Sequence, residues 1–227
     1  AMARAGVLRG FGHSFDALKV PGGGEWALTL TFIFVAPLIG LISAYLLMIA
    51  VYWVFQNASP SKMDVYFRKL QLLSAAAFSL SHGSNDAQKT AGLITGVLFT
   101  SNLIHAFEIP RWVLLASYTA IALGTLSGGW RIVRTMGARL TRLKPRSGFC
   151  AETGAAGAVL LATHLGLPVS TTHAIAGAIA GVGSINRLKA VRWGIATNIV
   201  GAWVLTIPAA ATIAWLTFWL LRLAEMA

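Results

Sequence analysis

Negative charge is scarce in this sequence, with seven aspartates and glutamates among 227 residues against eighteen lysines and arginines. Charged residues of both signs make up 11% and hydrophobic residues 56%, too little polar surface to coat a soluble domain, which excludes that class. The single cysteine, Cys150, excludes a disulfide within the chain and a cysteine metal cluster. No stretch alternates apolar and polar residues as a membrane barrel requires, and the first 25 residues hold no apolar core of a signal peptide. The net charge of +11 does not argue for nucleic acid, because the basic residues sit in short segments between apolar runs and form no single basic face. An enzyme is disfavoured as well. No nucleophile, base and acid fall into a plausible set, and the five histidines lack metal-ligand spacing.

What the sequence does contain is a series of long apolar runs. Trp26 to Phe55 carries no charge over thirty residues, where a span needs about twenty, and Pro37 is the expected place for a bend. Further runs cover 70–104, 112–130, 153–185 and 193–221. Only helices satisfy their own backbone groups in lipid when no barrel pattern is present, so the expectation is an all-α, multi-pass membrane protein embedded in the bilayer. The expected organisation is an N-terminal polar segment over 1–25 and one transmembrane domain over 26–227.

Basic residues orient the spans. Lys62, Arg68 and Lys69 mark one inside loop, and Arg131, Arg134, Arg139, Arg142, Lys144 and Arg146 mark another, with the uncharged-by-lysine-or-arginine segment 101–110 outside between them. The segment 147–192 has basic residues at both ends, since Arg187, Lys189 and Arg192 follow it, so both ends belong inside. A helix from Glu152 to Leu165 would rise only about 21 Å, short of a ~30 Å core. The expectation is therefore a re-entrant helical hairpin around 152–184 that turns at Gly166–Pro168 near the membrane midplane, a geometry tolerated where backbone packs in protein or lines a wet cavity. The same reading puts the start of the first run outside together with Arg4, Arg9 and Lys19, against the charge rule. Preceding spans that had already set the orientation would explain it.

Two polar constellations interrupt the apolar runs. In "SHGSNDAQKTAG" (81–92), Gly83 permits a break, so the helix is expected to be broken around 81–90. Ser84, Asn85 and Asp86 then offer hydroxyl, amide and carboxylate oxygens, a hard set suited to a sodium ion or a proton. Charged groups at this depth are costly and usually mark a site, although Asp86 and Lys89 at i, i+3 could also neutralise each other. In "GLPVSTTHAIAGAIAGVG" (166–183), Pro168 suits a helix start, and Ser170, Thr171 and Thr172 crowd hydroxyls beside the N–H groups left unpaired there. Such a helix start is an anion site, but a simple cap uses the same residues. His82 and His173 lie within the motifs and could bond an anion, relay a proton or be satisfied interior histidines. Asn198 could line a cavity or bond a neighbouring helix.

Taken with "GTLSGGWRIVRTMG" and "AVRWGIATNIVGAWVLTIPA", which occur in order around them, the two motifs resemble the inorganic phosphate transporter family in its short bacterial form, over residues from about 30 to 222. The resemblance implies cation-coupled phosphate import by alternating access at a site near the midplane, built by two inverted repeats in the inner membrane. It implies that Asn85 and Asp86 bind the coupling cation, Na+ or H+, and that Ser170, Thr171 and Thr172 bond phosphate with Ser84 and Asp86 framing it. His82, Lys89, His173 and Asn198 would support these ligands, with no other cofactor and no resident metal. The family's related Asp motif and Pro-Ser-Ser-Ser-His motif are not found before Leu30. The chain therefore resembles the second half plus a linking span, and its expected partner is the N-terminal half of the same protein, with a homodimer as another assembly. The rivals are a sulfate permease of the same family and a non-transporting membrane scaffold or partner subunit.

Overall fold

A computed structural model describes residues 25–165, 169–185 and 191–225, and every regular element among them is helical. The elements are α1 (Glu25–Val54), α2 (Pro60–Thr100), α3 (Arg111–Arg134) with a π-helical turn (Thr135–Leu140) after it, α4 (Pro145–His164), α5 (Thr171–Ser184) and α6 (Trp193–Glu225). They form two compact units, one through Val191 and one from Arg192, the second being α6 alone. Among the described residues, three helices are long and apolar enough to cross a membrane, over Thr31–Val54, Arg111–Trp130 and Trp193–Leu223. Helix α5, with 14 residues, is too short for this group, and the polar motif of α2 interrupts its apolar run.

Local chemistry sets the helix ends. Pro60 and Pro145 start α2 and α4, where the missing N–H costs nothing. At the start of α4, the Ser147 hydroxyl donates to the Lys144 carbonyl (2.9 Å) and accepts from the Lys144 N–H (2.8 Å). Helix α2 stops at Asn102, whose φ of 57° lies in the left-handed region that Asn tolerates. The Asn102 and Leu103 N–H groups turn back to the Phe99 and Leu98 carbonyls, a Schellman closure.

Two expectations about boundaries are corrected. The break expected around 81–90 is absent, because α2 runs unbroken for 41 residues through the whole motif. Gly83 stays helical, and the Ser81 and Thr90 hydroxyls fold back onto the Phe78 and Asp86 carbonyls at 2.9 and 3.1 Å. An intact helix can present polar side chains sideways, so their presence requires no unwound backbone. The first arm of the hairpin starts at Pro145 and not near Glu152, so α4 has 20 residues and rises about 30 Å. Its length alone therefore no longer argues for a turn at the midplane. The second arm, α5, has 14 residues and rises only about 21 Å. The Gly166–Pro168 turn lies outside the described residues.

The hairpin itself is present. α4 and α5 pack together, and Gly183 at the end of α5 comes against Thr141, just before α4, which brings the two open ends together. α1 runs antiparallel to α4 and parallel to α5, filling the hairpin's face. A Cβ on Gly154 would stand 2.8 Å from the Ala44 nitrogen, and one on Gly177 would overlap the Pro37 carbonyl oxygen. Small residues thus let the backbones touch, as helices packed in lipid do. Buried Ala36, Ala162 and Val169 form one core cluster here, and Ala158, Val159 and Ala174 another.

Candidate functional site

Helix α2 runs parallel to α4 and carries a polar stripe along their shared seam. Near the start of the seam Arg146 Nε lies 4.0 Å from Asp64 Oδ1, and its guanidinium covers the Tyr52 ring at 5.6 Å. Two turns further on, the Glu152 carboxylate accepts from Ser74 Oγ (2.5 Å) and Gln71 Nε2 (3.4 Å). Sequence reasoning missed this carboxylate because an isolated glutamate in an alanine-rich run has no motif around it. Its partners lie nearly eighty residues away.

Further along α2, one helical face presents His82, Asn85, Asp86 and Lys89 to the end of α4 and the start of α5. Asp86 is the centre of the group. Its Oδ1 is 3.3 Å from Lys89 Nζ, and its Oδ2 is 3.3 Å from His82 Nδ1 and 3.5 Å from the Thr171 hydroxyl. His82 Nδ1 is also 2.8 Å from Thr171 Oγ1, with its ring stacked on Phe78. These distances suit a relay in which His82 donates to Thr171 and Thr171 donates to Asp86. Lys89 also donates to the Val169 carbonyl, in the extended stretch just before α5. The i, i+3 pairing of Asp86 and Lys89 is thus formed, but it is one contact within a larger group.

At the start of α5, Ser170 is the cap. Its hydroxyl accepts from the His173 N–H at 3.4 Å, and its carbonyl accepts from the Ala174 N–H at 3.1 Å. The first two N–H groups, of Thr171 and Thr172, therefore lack an intrahelical partner and face outward with the positive end of the helix dipole. The cap is thus formed, and it leaves two N–H groups of the same turn without an intrahelical partner.

The expected site residues divide into those gathered at this point and those that are not. His82, Asn85, Asp86, Lys89 and Thr171 come together, and Ser170 adjoins them. Thr172 is exposed and Ser84 is half-buried, and neither joins the hydrogen-bonded group described above. His173 is buried and turns toward α1, with Nδ1 3.4 Å from the Ile33 carbonyl. Pro37, four residues on, has no N–H to offer that carbonyl, so the histidine compensates for the proline. Asn198 lies on an exposed face of α6, in the other unit. Two residues not among the expected site residues belong to the group: Val169, inside the second motif, through its carbonyl, and Thr163 of α4, outside both motifs, whose Oγ1 accepts from Asn85 Nδ2 at 2.8 Å.

Comparison with known proteins is consistent across sequence and structure. Residues 2–214 match the model of the Phosphate transporter family. The chain is similar to a probable low-affinity inorganic phosphate transporter of Rhizobium meliloti (strain 1021), 54% identical over 187 residues that cover 82% of this chain and 56% of that protein. It is also similar to a protein of the same description from Bacillus subtilis (strain 168), 39% identical over 83% of this chain and 57% of that one. Among solved structures it is similar to one titled the sodium-dependent phosphate transporter, with a TM-score of 0.64 and 26% identity, covering 98% of this chain and 62% of that chain. The chain spans about half the length of the curated relatives it matches.

Proposed function

The chain belongs to the phosphate transporter family and is an integral membrane protein, and from that premise we propose that it carries one repeat of a sodium-coupled inorganic phosphate symporter of the bacterial inner membrane. The residues 26–227 are the membrane domain of this repeat. Its complement, an inverted first repeat, comes from another segment or chain and completes the path for alternating access.

One observation carries the reading: a carboxylate, Asp86, stands against Thr171 at the first turn of α5. A carboxylate and a phosphate repel each other, so the two can share a site only with positive charge between them. A sodium ion on Asp86 and the Asn85 carboxamide oxygen supplies that charge. Phosphate then takes the Thr171 and Thr172 N–H groups, the Ser170 and Thr171 hydroxyls and the dipole of α5. Neither ion binds well without the other, and this mutual dependence is the coupling. Lys89 neutralises Asp86 while the sodium is away and adds positive charge near the anion when it is present. The solved relative titled as sodium-dependent supports sodium over the proton as the coupling ion.

The test is uptake of labelled phosphate in cells stripped of their own phosphate transporters, with the chain expressed alone and with a complementary repeat. Sodium and choline gradients are compared, and sulfate serves as competitor. Saturable, sodium-dependent uptake that tenfold sulfate leaves unchanged is expected. Uptake blocked by sulfate would assign the chain to sulfate permeation, and inserted protein inactive in every combination would assign it to a scaffold.

A further inference from the structure

We propose that Thr163 is a positioning residue that dictates which end of the Asn85 carboxamide faces the cation, and so sets the sodium affinity of the site. This rests on the reading of Asn85 as a sodium ligand.

The argument is one of donors and acceptors. A threonine hydroxyl has one hydrogen. In α4 that hydrogen is already committed, because Thr163 Oγ1 lies 2.8 Å from the Val159 carbonyl, which can only accept. Toward Asn85 the hydroxyl can therefore only offer a lone pair. The 2.8 Å contact with Asn85 must be made by an N–H, which fixes the Nδ2 end on Thr163. The Oδ1 end is thereby turned the other way. Asn85 is 5% exposed, and its Oδ1 is fully buried with no hydrogen-bond partner among the described residues. A buried amide oxygen left unpaired is unfavourable unless something else satisfies it. A hard cation is such a partner, and Asp86, the next residue, supplies the countercharge.

Without the Thr163 acceptor, nothing on α4 distinguishes the two ends of the carboxamide. Its NH2 can then rotate to the cation side and present a positive dipole end to sodium. Thr163→Val keeps the shape and removes the lone pair. Thr163→Ser keeps the lone pair and removes the methyl.

The experiment is a sodium titration of the melting temperature of the detergent-purified protein at fixed phosphate, with choline holding ionic strength constant. The midpoint of the sodium response is read separately from the melting temperature in choline alone. A midpoint raised roughly tenfold or more in Thr163→Val, and within about twofold of the unsubstituted protein in Thr163→Ser, is expected from the usual weight of a residue that orients a ligand. If the valine variant does not insert, Thr163→Ala compared with Thr163→Ser carries the same test. A midpoint indifferent to the hydroxyl, or displaced equally by serine, overturns the orienting role while leaving sodium binding intact. An unsubstituted protein whose melting ignores sodium overturns the cation site itself, and with it the proposed function.

Discussion

At the residue scale, Asp86 draws in groups from two helices and the stretch between α4 and α5: His82 and Lys89 from its own helix, Thr171 from α5, and, through Lys89, the Val169 carbonyl just before α5. Its charge is central to the proposed site, while its shape is not. Asp86→Asn is expected to bring sodium-dependent phosphate uptake to background while leaving insertion intact, as measured by uptake normalised to protein in the membrane fraction. Thr171→Val is expected to do the same through the anion side, and normal uptake in both variants would refute the site. Which residue types to examine could be read from the sequence, because charges and hydroxyls in an apolar run stand out. How they group could not be read, since Thr172 carries the same hydroxyl as Thr171, and Ser84 is a polar neighbour of Asn85, yet neither joins the hydrogen-bonded group.

At the element scale, the unbroken α2 makes a prediction that a broken helix would reverse. Nothing lies within 4 Å of a Cβ placed on Gly83. Gly83→Ala is therefore expected to retain uptake and to stabilise the protein by about 0.5–1 kcal/mol, the usual helical gain over glycine; loss of both would reinstate a functional break there. Gly177 is the opposite case, because its missing Cβ is where the Pro37 carbonyl sits. Gly177→Val must push α1 off α5, and a loss of at least about 1–3 kcal/mol, the ordinary cost of overpacking, is expected in thermal melting of the purified protein. The run of small residues in α5 was legible as a close-packing face. Its partner was not, because small residues admit any neighbour and Pro37 in α1 gave no sign of facing it.

At the scale of the whole molecule, the charge distribution predicts a topology that labelling can check. In a background with Cys150 replaced by alanine, single cysteines at Leu103, Arg142 and Arg192 report three exposed positions. A membrane-impermeant thiol reagent added to intact cells is expected to label Leu103→Cys and to spare Arg142→Cys and Arg192→Cys. Labelling at Arg192 with protection at Arg142 would make the α4–α5 segment a full crossing and refute re-entry. The contact of Gly183 with Thr141 supports the protected outcome, because it joins the hairpin's two open ends.

Composition and periodicity by themselves determined that this chain is helical and lives in a membrane, since burying backbone in lipid leaves few alternatives and the charge-free runs leave none. Motif order determined its family, because four blocks in sequence are far more specific than any one of them. The tertiary structure decided which hydroxyls meet Asp86, that Glu152 is held by Ser74 and Gln71, that His173 compensates for Pro37, and that Thr163 holds Asn85. All four are contacts between residues roughly eighty or more positions apart, and they depend on the rotation of one helix about its axis relative to another. A sequence specifies which residues share a helical face; only packing determines what that face meets.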